Sequence, residues 1–332
     1  MTLIISRTPL RISLFGGGTD YPTWAKKNGS NIISAAINKY IYVVCRYHPE
    51  IYRSNKSRVI YKSIERVNNF SDIKHPVVRG ALKYLNFKND VGIELYYQGD
   101  LPARSGLGSS SAFSVGVINS LMNLQNIKPS KKILSKKATY LEQKILNESV
   151  GLQDQIATSY GGFNHISINK KLDFKVNKIN LSKNRLEVLS KSLVLVHSGK
   201  SRIASNIARS FLSSMKSKKL ELSKINDIAL EAKKFLNSNP KKFDLIGDLL
   251  NETWLLKKSV NSVISNSKID TLYNYGISNG AIGGKLLGAG SEGFMLFYVS
   301  KNNITKFNKA FSKYTISNLN FDHTGSFITK IS

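Results

Sequence analysis

Leu101-Pro102-Ala103-Arg104-Ser105-Gly106-Leu107-Gly108-Ser109-Ser110-Ser111-Ala112-Phe113 joins two segments of different periodicity. Before it, the apolar residues of Val91–Tyr97 recur as they do in a strand. After it, Val115, Ile118, Leu121 and Met122 recur at helical spacing. The reading is strand, Gly- and Ser-rich loop, helix. Gly106 and Gly108 let the backbone turn sharply and approach a ligand with no side chain in the way. Ser109, Ser110 and Ser111 fall where the helix begins, with unpaired N–H groups and the positive end of the macrodipole. That combination favours an anion, and a phosphate is the usual guest. Simple helix capping uses the same residue types, so the case rests on two further Gly-rich stretches.

The first lies upstream. Residues 3–22 contain two short apolar strands flanking Pro9, the second ending in Gly16-Gly17-Gly18-Thr19-Asp20. Three consecutive glycines exceed what an ordinary turn requires, and Asp20 supplies a carboxylate able to accept hydrogen bonds from a polyol. The second lies downstream, Gly283-Gly284-Lys285-Leu286-Leu287-Gly288-Ala289-Gly290-Ser291-Glu292-Gly293. Its glycines match the spacing of a dinucleotide fingerprint, yet the apolar Phe294–Val299 that follows reads as a strand where that site needs a helix. The stretch reads instead as a strand-to-strand turn closing over a ligand.

Between these lie two helices that each carry one carboxylate. Lys131–Asn147 carries an apolar stripe with Glu142 in it, and Gly151-Leu152-Gln153-Asp154-Gln155-Ile156-Ala157 opens a shorter helix ended by Gly161-Gly162. Either carboxylate alone is ordinary on a helix. His197-Ser198-Gly199-Lys200-Ser201 imitates a P-loop, but the position five before Gly199 is Val194, so the loop is too short to wrap phosphates. Lys200 and Arg202 remain candidates for an anionic substrate. The five histidines show no metal-ligand spacing, and no Gly-x-Ser-x-Gly elbow is present.

At 332 residues the chain is long enough for two domains sharing a cleft. Charged and polar residues interrupt the pattern over Lys170–Lys191, which suggests domains of 1–180 and 181–332. A single cysteine, Cys45, rules out an intramolecular disulfide; with no signal peptide or membrane-length apolar run visible, the expectation is a cytoplasmic protein with no membrane partner. The net charge of +28 is compatible with nucleic acid, an acidic membrane surface or small anions. Because the lysines are spread through Asn- and Ser-rich segments such as 56–62 and 216–224, compositional bias explains the charge better than a dedicated nucleic-acid face.

The three Gly-rich stretches, in this order, resemble the motifs of the GHMP kinases: Pro9–Pro22 the first, Leu101–Phe113 the second, Lys285–Phe294 the third. The resemblance covers nearly the whole chain. Pro9-Leu10-Arg11-Ile12-Ser13-Leu14-Phe15-Gly16-Gly17-Gly18-Thr19-Asp20-Tyr21-Pro22, with Gly151–Gln155, is similar to the branch containing heptose 7-phosphate kinases. A galactokinase-type Gly-Glu-His first motif is absent. The resemblance implies an α+β fold, with an N-terminal ribosomal-protein-S5-like domain and a C-terminal ferredoxin-like domain, and ATP and Mg²⁺ as cofactors. ATP phosphates would lie on Ser105–Ser111 (Ser105, Gly106, Leu107, Gly108, Ser109, Ser110 and Ser111), and Mg²⁺ between Ser110 and Glu142. Asp154 would orient the acceptor hydroxyl, with Arg11 beside the transferring phosphate. Gly17, Gly18, Thr19, Asp20, Gly288 and Gly290, with Lys200 and Arg202, would meet a small-molecule sugar or sugar phosphate. The implied activity is phosphorylation of the anomeric hydroxyl of a heptose 7-phosphate, for nucleotide-heptose and surface polysaccharide synthesis. A kinase of another sugar is the alternative, and a non-catalytic nucleic-acid-binding protein a distant rival. Ser291-Glu292 interrupts the glycines usual in the third motif, placing a carboxylate where phosphates would be repelled.

Overall fold

Strand β1 (Leu3–Phe15) runs unbroken through Pro9, where the sequence suggested two strands. Proline has no N–H to give the ladder and survives in a sheet at an irregularity. Here the pairing with β2 (Ser30–Tyr47) jumps from Pro9 opposite Tyr40 to Leu10 opposite Ile37, so the strand continues past a bulge. The computed structural model describes residues 2–49, 51, 56–102, 105–199 and 204–331.

The chain then builds two sheets. After β1 come α1 (Pro22–Asn28), β2, the hairpin β3 (Ser57–Ile60) and β4 (Ile64–Val67), α2 (Pro76–Tyr84) and β5 (Ile93–Gly99). Next are α3 (Ser109–Leu124), α4 (Lys131–Tyr140), a π-helical turn Leu141–Ile145, α5 (Gln153–Tyr160), β6 (Phe163–Ile168) and β7 (Phe174–Lys178). Among the described residues, the second half continues through α6 (Lys183–Ser192), β8 (Leu193–His197), α7 (Ala204–Ser214), α8 (Lys219–Asn237) and α9 (Asp244–Val260). It ends with α10 (Ser267–Ser278), β9 (Ala281–Leu286), β10 (Phe294–Val299), α11 (Ile304–Ala310), β11 (Ile316–Asn318) and β12 (Phe327–Ile331).

The first sheet has the order β12-β1-β2-β5-β3-β4, with β6 pairing the near half of β2 and β7 pairing β6. The second has the order β11-β8-β10-β9, antiparallel throughout. Taken in chain order its strands lie 4-1-3-2, the arrangement of a ferredoxin-like βαββαβ unit. The expected α+β, two-domain fold is therefore the one observed. At the end of the chain β12 crosses back from the second sheet's half and pairs antiparallel with β1.

Helix α3 is the pivot of the first domain. Every one of its residues except Ser110 is buried, as expected of a helix apolar or small on all sides. Its small residues let it lie close on β1 and β2, which anchors its N-terminus at the cleft. The two domains share packing: one continuous apolar cluster contains β1 and α3 residues together with Leu193, Leu195, Leu249 and Leu296 of the second half.

Candidate active site

All three Gly-rich stretches meet at the domain junction. Gly106 and Gly288 pack backbone to backbone: a Cβ on Gly288 would stand 2.5 Å from Gly106 Cα, and one on Gly106 would stand 2.4 Å from Leu287 O. Both adopt positive φ, so these positions demand glycine twice over, in space and in backbone conformation. Ser105 O accepts from Phe294 N at 3.2 Å, binding the second stretch to β10. Beside this contact opens a cavity of about 460 Å³, lined by parts of all three stretches and by α5, α7 and α9.

Strand alternation points Arg11 and Ser13 to the cavity. Arg11 holds Asp154 in a fork-to-fork pair, Nε to Oδ1 at 2.7 Å and Nη2 to Oδ2 at 2.5 Å, and its Nη1 donates to Gly106 O at 2.8 Å. Asp154 belongs to the first turn of α5, and its side chain is 31% exposed against 6% for Arg11. The carboxylate is thus fixed in direction while one face stays open to the cavity. Charge-assisted bidentate pairs of this kind combine strength with geometric specificity.

Asp20 also lines the cavity, but its two oxygens accept from Gly18 N and Gln153 N, each at 3.0 Å. It ties the first Gly turn to the start of α5 and keeps further lone pairs for a ligand. Burial raises its pKa, the Gln153 N–H opposes the rise, and the neighbouring Asp154 charge adds to it. Gly17 and Gly18 border the cavity, whereas Thr19 is turned inward, donating to Gly16 O at 2.7 Å and sharing a hydrogen bond with Ser30.

Helix α3 starts at Ser109 after the left-handed Gly108, and Ser110 and Ser111 reach the cavity wall. Ser105, Leu107 and Ser109 are buried beneath it. Glu142 stands in the π-helical turn, a distortion frequent at functional sites. It is fully buried just behind the wall: its Oε2 accepts from Ser111 Oγ at 3.0 Å and from Gln155 Nε2. The serine hydrogen-bonded to Glu142 is Ser111, the residue next to Ser110. Its Oε1 has no hydrogen-bond partner, and burial lifts the carboxyl to a pKa of about 7 against the bonds it accepts. Among the described residues no cluster of three or more His, Cys, Asp or Glu could hold a metal. An orphaned carboxylate oxygen and the adjacent Ser110 hydroxyl still suit Mg²⁺, which takes hard oxygens and fills its shell with water and substrate phosphates.

Gly288 and Ala289 line the cavity, while Gly290 packs on the Ile264 backbone away from it. Ser291 N donates to Ile264 O at 2.7 Å, and Glu292 is not among the residues lining the cavity. The carboxylate that interrupts the third motif is thereby kept off the cavity wall. Lys200 and Arg202 lie outside the described residues.

Two lysines complete the wall. Lys257, on α9, donates to Gly288 O at 2.6 Å, and Lys285, in β9, donates to Leu14 O at 3.0 Å. Burial and then the Arg11 charge depress Lys257 to about 8, with Asp20 and Asp154 acting the other way. Burial, then Lys257 and Arg11, hold Lys285 well below the ordinary lysine range. Sequence reading passed over both as functional groups. The signal was present at Lys257, which lies on the buried stripe of α9 with Leu250 and Trp254, where a lysine needs a reason.

A helix N-terminus beside a fixed carboxylate–guanidinium pair, at a cavity where the two domains meet, suits phosphoryl transfer to a small molecule. Comparison with known proteins narrows the class. Residues 76–162 match the GHMP kinases N terminal domain. Over 312 residues the chain is 30% identical to a D-glycero-alpha-D-manno-heptose 7-phosphate kinase of Campylobacter jejuni, covering 90% of each chain. Among solved structures, a D-glycero-D-manno-heptose 1-phosphate kinase from Bacteroides thetaiotaomicron superposes with a TM-score of 0.82 at 22% identity over 99% of both chains. A Lactococcus lactis galactokinase complexed with galactose gives 0.73 at 20% identity, over 99% of this chain and 95% of that one. The chain belongs to the GHMP kinases.

Proposed function

We propose that this kinase transfers the γ-phosphoryl group of ATP to the anomeric hydroxyl of a heptose 7-phosphate, giving the 1,7-bisphosphate and ADP. The observation that carries the reading is the Arg11–Asp154 pair, anchored on the cavity wall that Ser110 and Ser111 share. Similarity to the Campylobacter heptose 7-phosphate kinase supports the acceptor. The 1,7-bisphosphate would serve nucleotide-heptose and surface polysaccharide synthesis.

The ATP phosphates rest at the start of α3, where N–H groups and the macrodipole meet negative charge. Asp154 accepts the hydrogen bond of the attacking hydroxyl and aims its oxygen at the γ-phosphorus. A bond forms from that oxygen to phosphorus as the bond from phosphorus to the β,γ-bridging oxygen breaks. ADP leaves with the electron pair, and the hydroxyl proton passes to Asp154 and then to solvent. Because such transfer is loose, positioning and charge neutralisation outweigh base strength. Arg11 holds the Asp154 carboxylate in one orientation throughout. Mg²⁺, held by Glu142 and Ser110, would neutralise phosphate charge when bound.

The test is ADP release with ATP and Mg²⁺ across a panel of sugars and sugar phosphates. Turnover confined to heptose 7-phosphate is expected. Turnover on an unphosphorylated sugar instead would overturn the acceptor assignment, and none on any member would overturn the kinase step itself. Asp154→Asn should lower kcat by about 10³-fold, the order reached by loss of a general base, while ADP binding by calorimetry stays within a few-fold. Unchanged kcat would remove Asp154 from the mechanism.

A further inference from the structure

We propose that Lys257 is a catalytic cation of the transfer step, its ammonium contacting the γ-phosphoryl group as that group passes to the acceptor. The proposal rests on the kinase reading above and adds to it a residue of the second domain.

Three observations converge on Lys257. First, its ammonium is buried and lines the cavity, yet its one hydrogen bond among the described residues is to Gly288 O. An ammonium has three donors, so two remain for a ligand. Second, the nearby carboxylates are engaged elsewhere. Asp154 is held by Arg11, and Asp20 by the N–H groups of Gly18 and Gln153. A buried charge left this way is costly until an anion meets it. Third, Gly288, which holds Lys257, abuts Gly106 of the second Gly-rich stretch, and Arg11 bonds both Gly106 O and Asp154. The ammonium is therefore moored beside the loop that receives phosphates, within the electrostatic reach of Arg11 and Asp154.

Arg11 alone is poorly placed to neutralise the moving group. Three of its five N–H donors are committed, Nε and Nη2 to Asp154 and Nη1 to Gly106 O, and its charge is already paired with the Asp154 carboxylate. In a loose transfer the charge spreads over the peripheral phosphoryl oxygens, and preorganised cations aimed at them are the main source of acceleration. Lys257 supplies that cation from the opposite domain. It neither gives nor takes a proton: the oxygen–phosphorus bonds form and break as described above. Its neighbour Lys258 faces away, bonded to Asp270 of α10 at 3.0 Å, and serves as the control.

The test combines kinetics with calorimetry in the presence of Mg²⁺. Lys257→Met should lower kcat by about 10²-fold or more, the range for loss of one stabilising donor, with Lys257→Arg recovering part of it. Lys258→Ala should leave kcat unchanged. For nucleotide binding, Lys257→Met should weaken AMP-PNP at least tenfold and ADP less than twofold, because only the former carries a γ-phosphoryl group. Thermal melting confirms folding, and Lys257→Met should melt no lower than the parent chain. Equal loss of both nucleotides, or of neither, overturns the proposal. A raised KM for the sugar phosphate with kcat intact overturns it as well, by assigning Lys257 to the acceptor. If the parent chain phosphorylates no sugar, the kinase reading fails, and the AMP-PNP to ADP comparison still decides where Lys257 acts.

Discussion

Glu142 is a buried carboxylate with one oxygen unpartnered, and its titration sets a signature. Its folded pKa of about 7 lies above the reference value of 4.5. Between those values the folded chain binds more protons than the unfolded one, so stability from this group is full below pH 4.5 and is lost as pH rises through 7. The ionic form is disfavoured by an amount on the order of 3–4 kcal/mol, taking each pKa unit as about 1.4 kcal/mol. Glu142→Gln should therefore gain melting temperature relative to the parent chain between pH 5 and 8 in EDTA. Added Mg²⁺ at pH 8 should narrow that gap by stabilising only the parent; a gap independent of both pH and Mg²⁺ would remove Glu142 as a ligand. Lys257 titrates in the opposite sense. Its pKa of about 8 should rise when a phosphate docks, so AMP-PNP binding at pH 8.5 should take up protons and binding at pH 6.5 should not. Calorimetry in buffers of different ionisation enthalpy reads that uptake directly.

At the scale of elements, local pattern and tertiary contact divided the information. The strand–loop–helix at residues 93–124 and the turn between β9 and β10 were legible because Gly, Ser and apolar periodicity are local signals. The continuity of β1 was hidden, since proline usually ends a strand and only the bulge opposite it in β2 allows passage. The hydrogen bond from Ser111 to Glu142 was also hidden. It depends on a helical rotation set by α3 packing, and a shift of one residue turns a side chain about 100° around the axis. The two buried lysines escaped because their partners, Gly288 O and Leu14 O, are backbone atoms distant in sequence. The Gly106–Gly288 contact gives a prediction at this scale. Gly288→Ala puts a Cβ 2.5 Å from Gly106 Cα at a φ of 79°, so the two loops must part. Loss of about 2 kcal/mol in stability is expected, with a raised KM for ATP. Denaturant melts and kinetics check it, and a neutral effect on both would separate the loops functionally.

For the molecule as a whole, the least legible feature was the return of the chain to its first sheet. β12 is short and mostly exposed, and nothing in its own pattern names β1 as its partner. Yet the approach to it is nailed down: Lys131 Nζ donates to Thr324 O and Ser326 O, and Ser326 Oγ bonds both Thr8 and Asn119 Nδ2. These contacts brace β1 and α3, the two elements that carry Arg11 and Ser110. Removing residues 324–332 should lower the melting temperature by several degrees and depress kcat; a shortened chain with unchanged melting and turnover would show the brace to be idle.

That same pairing has a consequence for biosynthesis. β1 leaves the ribosome long before β12, and one edge of it stays bare until the segment holding β12 has cleared the exit tunnel. Domains ordinarily fold in the order they are made; here the leading domain cannot close before the trailing one has been translated. The nascent chain carries an exposed strand edge from the synthesis of β1 until that of β12, and the brace behind Arg11 and Ser110 is completed only when that late segment arrives.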